Sequence, residues 1–115
     1  MKSIEAQYSM DKQTLEAVMR AANTEIKPAD IDGSYRTGSL VGVTKEYIVK
    51  ALGFEPNIKD DPDKVENSWA FTLDGHPCAI WDWKGSHHAK VWSVYDPHKV
   101  LDRIFDMGHL SQGGW

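Results

Sequence analysis

Residues 69–83 read Trp69-Ala-Phe-Thr-Leu-Asp-Gly-His-Pro-Cys-Ala-Ile-Trp-Asp-Trp83, and this stretch decides the fold. Trp69, Phe71 and Leu73 alternate with smaller residues, the period of a strand with one buried face. Asp74-Gly75 follows, a dipeptide suited to the two-residue turn of a hairpin. The return strand runs from Pro77 to Trp83. In it Cys78 and Ile80 point one way while Ala79, Trp81 and Trp83 point the other, so both faces carry apolar groups. Gly85-Ser86-His87-His88 makes a second turn and Lys90 to Tyr95 a third strand. The spacing predicts a three-stranded antiparallel β-meander over residues 67–95.

Towards the N-terminus, Leu15, Val18, Met19 and Ala22 recur at helical spacing after Ser9 and Asp11, which predicts a helix over 9–22 with Ser9 as its cap. Residues 23–43 are polar, with Pro28 and three glycines, and read as a long loop. Thr44 is placed to cap a helix over 44–52, with Tyr47, Ile48, Ala51 and Leu52 on one face and Gly53 ending it. Glu55 to Glu66 holds five acids and two lysines, so it carries −3 of the chain's net −4. It is expected to be a solvated acidic loop within 53–66. Beyond the meander, Asp96-Pro97 and the stripe Val100, Leu101, Ile104 and Phe105 predict a helix over 97–106. Residues 107–115 are expected to be a loose tail. The predicted class is α+β: the meander packed with two N-terminal helices and one C-terminal helix.

At 115 residues and 41 % hydrophobic content the chain suits a single domain with its own core. The acidic balance argues against gripping double-stranded DNA or an anionic membrane by charge. No apolar run approaches the roughly 20 residues that span a bilayer, and the opening residues lack an apolar signal core, so a soluble, cytoplasmic protein is expected. Cys78 is the only cysteine. It reads as a buried strand residue rather than a nucleophile, because His76 beside it has no third group to orient it. Five tryptophans in so small a chain, with indoles on both faces of the meander, predict a homo-oligomer.

Gly38 and Ser39, in a glycine-containing loop leading to the second helix, would offer backbone N–H groups to an anion, and Arg36 would add a bidentate phosphate contact. The spacing is that of neither a P-loop nor a dinucleotide fingerprint. Trp69 belongs to the core; of the remaining indoles Trp81 or Trp83 is the candidate to stack on a base, with Lys84 beside the phosphate. His87, His88 and His98 with Asp82 are chemically sufficient for a divalent metal, but adjacent strand residues face opposite ways, and exposed turn histidines are the simpler reading. Asp60, Asp61 and Asp63 lack the order of a calcium loop.

The run Tyr35-Arg-Thr-Gly-Ser-Leu-Val-Gly42, the break Leu52-Gly-Phe-Glu-Pro56, Asp63-Lys-Val65, the aromatic strand at Trp69 and Ile80-Trp-Asp-Trp-Lys84 together resemble small accessory proteins encoded by bacteriophages and prophages. The resemblance covers roughly residues 33–95 and carries over no catalytic residue. It implies a small protein that binds and disables a host component. The resulting expectation is a non-enzymatic binding protein, of counter-defence type, that sequesters a small phosphorylated nucleotide through Arg36, Gly38, Ser39, Trp81, Trp83 and Lys84, with no cofactor. Two alternatives stand beside it: an inhibitor that plugs a host protein with the acidic loop and exposed aromatics, and a metal-dependent hydrolase or nuclease.

Overall fold

Among the described residues the sheet has six strands, not three. In a computed structural model, which describes residues 11–31, 35–59, 65, 67–83 and 85–112, the chain runs α1 (Lys12–Ala21), β1 (Ile26–Pro28), β2 (Gly38–Val41), α2 (Lys45–Leu52), β3 (Ser68–Leu73), β4 (His76–Trp81), β5 (Val91–Tyr95) and β6 (Leu110–Gln112). One-turn 3₁₀ segments lie at Ser86–Ala89 and Leu101–Arg103. The spatial order is β1-β3-β4-β5-β2-β6, and every pairing is antiparallel. The expected meander is the centre of this sheet. Strands from residues expected to be loop and tail flank it on both sides.

The corrections share a physical cause. β1 and β6 are three residues each and β2 four, too short to display a period of two, and β2 opens on a glycine. Neighbouring backbone, not side-chain pattern, makes them strands: β2 lies between β5 and β6 and pairs with both. The expected helix over 97–106 is reduced to the turn Leu101–Arg103. Lys99 adopts a left-handed conformation at φ 54°, which breaks any helix started at Pro97. Its apolar stripe is nonetheless in place, with Val100, Leu101, Ile104 and Phe105 all buried.

Helix α2 forms as its sequence predicts. Thr44 Oγ1 accepts the Tyr47 N–H at 3.1 Å, Gly53 closes the helix at φ 92°, and Tyr47, Ile48, Ala51 and Leu52 are buried. Helix α1 departs from expectation in cap and face. Asp11 is the cap, its Oδ1 accepting the Thr14 N–H at 2.7 Å, while the expected cap Ser9 lies outside the described residues. The buried residues are Thr14 and Ala17, with Ala21 packed at the edge of the core, whereas Leu15 and Met19 are exposed. Small residues on the inner stripe let α1 approach closely, and bulk is turned outward.

Both helices and the 97–106 turn cover one face of the sheet. Trp69 and Trp92 meet there edge to face, with ring centroids 5.5 Å apart. Each buried indole N–H has an acceptor, Trp69 on the Phe54 carbonyl and Trp92 on the Val43 carbonyl, both at 3.0 Å. That is what permits full burial of so polar-tipped a ring. Among the described residues no helix is long and apolar enough to cross a membrane.

The β3–β4 turn is pinned from two sides. Asp74 and Gly75 sit at φ 51° and 85°, the left-handed pair a tight hairpin turn requires. The Asp74 carboxylate accepts the Glu25 N–H at 2.8 Å and a 2.7 Å ion pair from Arg103. The Glu25 amide first, and Arg103 second, hold its carboxyl below the ordinary carboxylate value. A depressed folded-state pKa stabilises the fold above the unfolded value near 4, and that stabilisation is lost as pH falls through the folded value. Asp74→Asn is therefore expected to lower the melting temperature most at pH 7 and by less at pH 3. An equal deficit at both pH values would show that the charge plays no part.

Candidate functional site

The register places small side chains on the uncovered face of the sheet. Ala70 pairs with Ala79, which pairs with Tyr95; one row along, Ser68 pairs with Trp81, Trp81 with Ser93, and Ser93 with Ser39; beyond lies Val91 opposite Val41. Because side chains alternate, these rows are the necessary complement of the large core residues Trp69, Phe71, Ile80, Trp92 and Val94 on the other face.

Over this floor lies a cleft of about 920 Å³. Its floor is Ser68, Ala70, Ala79 and Ser93. One wall comes from Asp30, Ile31, Tyr35 and Arg36, and another from Ile58, Lys59 and Val65; Trp81, Trp83, Ser86 and Val91 close the remaining side. A smaller hollow of about 480 Å³ adjoins it and shares Asp30, Ile58 and Lys59. Asn57 holds the second wall against the sheet edge. Its Oδ1 accepts the Ala70 N–H and its Nδ2 donates to the Ala70 carbonyl, both at 2.9 Å, so one side chain continues the ladder where β1 stops. The first described part of the expected acidic loop is thus docked on β3, and Val65 is buried. Asp60, Asp61 and Asp63 lie outside the described residues.

The aromatic groups differ in how they are held. Trp81 is half-buried and is paired with Ser68 and Ser93 on the neighbouring strands. Trp83 is 48 % exposed, and its backbone N–H donates to Ser86 Oγ at 3.0 Å, fixing the turn that presents it. Between them Asp82 is fully buried, accepting from the Asn67 backbone N–H at 2.8 Å and from Asn67 Nδ2 at 3.1 Å. Tyr35, 61 % exposed, packs edge to face on Tyr95 at 5.2 Å. Arg36 is anchored on the start of β2, just beyond it in sequence: Nη2 donates to Ser39 Oγ at 2.7 Å and Nε to the Gly38 carbonyl at 3.4 Å.

Of the site residues expected from sequence, the structure therefore brings Arg36, Trp81 and Trp83 into one cleft. Lys84 lies outside the described residues. Gly38 and Ser39 are strand residues paired on both sides, and the helix that follows starts at Lys45, so they do not form the loop-to-helix cradle expected of them. Ser39 contributes through its hydroxyl, which orients Arg36. Sequence reading missed Tyr35, Lys59 and the small floor. The floor had a signal, since Ser68, Ala70, Ala79 and Ser93 are the alternate positions of strands whose other face is aromatic or branched.

The remaining candidates are placed elsewhere. Cys78 is buried on the core face, where burial and then the nearby Asp96 carboxylate push its thiol well above the ordinary range, so it is protonated and unreactive at neutral pH. His98 packs beside His76 with ring centroids 4.9 Å apart. Among the described residues no group of three or more His, Cys, Asp or Glu comes together to hold a metal. Comparison with protein-family models, curated proteins and solved structures finds no match.

Proposed function

We propose that this chain is a non-enzymatic binding protein that sequesters a small phosphorylated nucleotide in the open-face cleft, in the manner of a phage accessory or counter-defence protein. The observation that supports this reading most is the convergence of Arg36 with Trp81 and Trp83, from segments far apart in sequence, around a floor of Ala and Ser. A flat floor of small groups admits a planar base, and an indole offers it a stacking surface. A guanidinium already oriented by Ser39 offers the phosphate a geometry that a mobile side chain would have to find on binding. Lys59 adds a second positive charge on the opposite wall.

Calorimetry against a panel of linear and cyclic nucleotides tests the reading. Arg36→Ala is expected to weaken binding and flatten its dependence on salt, because a charge contact is removed. Trp83→Ala is expected to weaken it by about 1 to 3 kcal/mol with the salt dependence unchanged, because stacking carries no charge. If nucleotides bind and neither substitution matters, the ligand lies outside this cleft. If no nucleotide binds at millimolar concentration the proposal fails, and a host protein becomes the partner to seek.

A further inference from the structure

The cleft has two aromatic ends, and only one has been assigned a role. Trp81 pairs with Ser93, so Trp83, two residues on, falls towards the Val91 end; towards the other end Tyr35 packs on Tyr95. Val91 and Tyr95 are four residues apart on β5, a separation of about 13 Å at roughly 3.3 Å per residue. Between them, in the row of Ser93 and Trp81, lies Ser39, to which the Arg36 guanidinium is bonded. The floor beneath the Tyr35 end is Ala70 and Ala79, the smallest pair in the sheet face. The volume of about 920 Å³ is near the top of the roughly 300 to 1,000 Å³ usual for a site that holds one drug-sized ligand.

We infer that, on the nucleotide reading just given, the ligand is a dinucleotide: two bases joined through a phosphodiester, one base on the Trp81–Trp83 end, the other against Tyr35, and the linking phosphate at Arg36. A single nucleotide engages one aromatic end and the cation and leaves the second end in water. A dinucleotide spans the order aromatic, cation, aromatic that the strand register sets out. The alanine floor gives the second base depth, and the exposed ring of Tyr35 gives it a surface to meet. Its contribution is stacking rather than charge, which sets the terms of the test.

Adenosine monophosphate and diadenosine (two adenosines joined by one 3′,5′-phosphodiester) are titrated calorimetrically into the full chain. The second carries less negative charge than the first, so any preference for it comes from the added base. Diadenosine is expected to bind about tenfold or more tighter. Tyr35→Ala is expected to weaken diadenosine binding by a much larger factor than monophosphate binding and so to remove that preference, since two indoles at the other end hold a lone base better than one tyrosine. Tyr35→Phe keeps the ring and is expected to keep the preference. Tyr35 is exposed, so unfolding is not expected, and circular dichroism of each variant checks this. Equal affinities for the two ligands, or a Tyr35→Ala loss that is the same for both or nil, would overturn the dinucleotide inference and leave the nucleotide reading standing. Failure of both ligands and of the wider panel to bind would overturn both.

Discussion

Asp96→Ala is expected to be the most damaging single substitution on the covered face of the sheet. This carboxylate, 1 % exposed, accepts from the Val100 N–H at 2.9 Å and the Leu101 N–H at 2.8 Å, and from Gln112 Nε2 at 2.9 Å; the Cys78 thiol lies at 3.8 Å. It thereby ties β4, β6 and the turn that delivers Val100 to Phe105 into the core. Its own N–H donates to Thr37 Oγ1 at 2.8 Å, which brings in the approach to β2. Removing the carboxylate leaves two buried backbone N–H groups without acceptors, at about 1 to 3 kcal/mol each. A domain of this size is stable by only about 5 to 15 kcal/mol, so the loss is a large fraction of the whole. Asp96→Asn is expected to be harmful too. Donors surround both oxygens, so whichever way the amide turns, its NH₂ faces another donor. Urea unfolding of the three proteins checks this, and midpoints within experimental error of one another would mean that Asp96 is not the tie.

Gly38→Ala carries the second large effect, through space rather than charge. A Cβ on Gly38 would collide with the Ser111 carbonyl oxygen and would stand 2.9 Å from Gln112 Cγ. The oxygen belongs to the backbone of β6, so relief requires moving the strand. The forced shift costs about 1 to 3 kcal/mol, and release of Leu110 from the core up to about 3 more. Hydrogen exchange should show the amides of β6 and of the Gly38–Val41 segment losing protection while those of β3 and β4 keep theirs. Unchanged protection in β6 would show that the strand accommodates the methyl group.

The same glycine explains why part of the fold was hidden in the sequence. In isolation Gly38 reads as a loop residue, because the benefit of lacking a side chain appears only when β6 arrives beside it. Leu110 has the same character: one apolar residue among Gly108, His109 and Ser111 sets no period, yet it is buried opposite Leu40. Where an element carries its own pattern the reading holds. The α2 cap and stop, the Asp74-Gly75 hairpin and the Trp69-Phe71-Leu73 face are each local signals with local causes. Helix α1 shows the limit of periodicity itself, since Leu15 and Met19 outweigh Thr14 and Ala17 in hydrophobicity but lose the inner stripe to them. The site divides likewise. Arg36, Trp81 and Trp83 stand out by residue type, whereas the alanines and serines of the floor acquire meaning only once three strands set them side by side.

The sorting of the four described tryptophans between the two faces also gives the molecule two sets of built-in optical reporters, Trp115 lying outside the described residues. Trp69 and Trp92 have no contact with water, so their emission is that of a dry environment and follows the integrity of the core. Trp81 and Trp83 face the cleft, and a ligand that stacks on them changes their emission, and their access to a dissolved quencher, without disturbing the buried pair. In a Trp115→Phe background, occupancy and unfolding are therefore expected to shift emission differently in one sample, with no label attached.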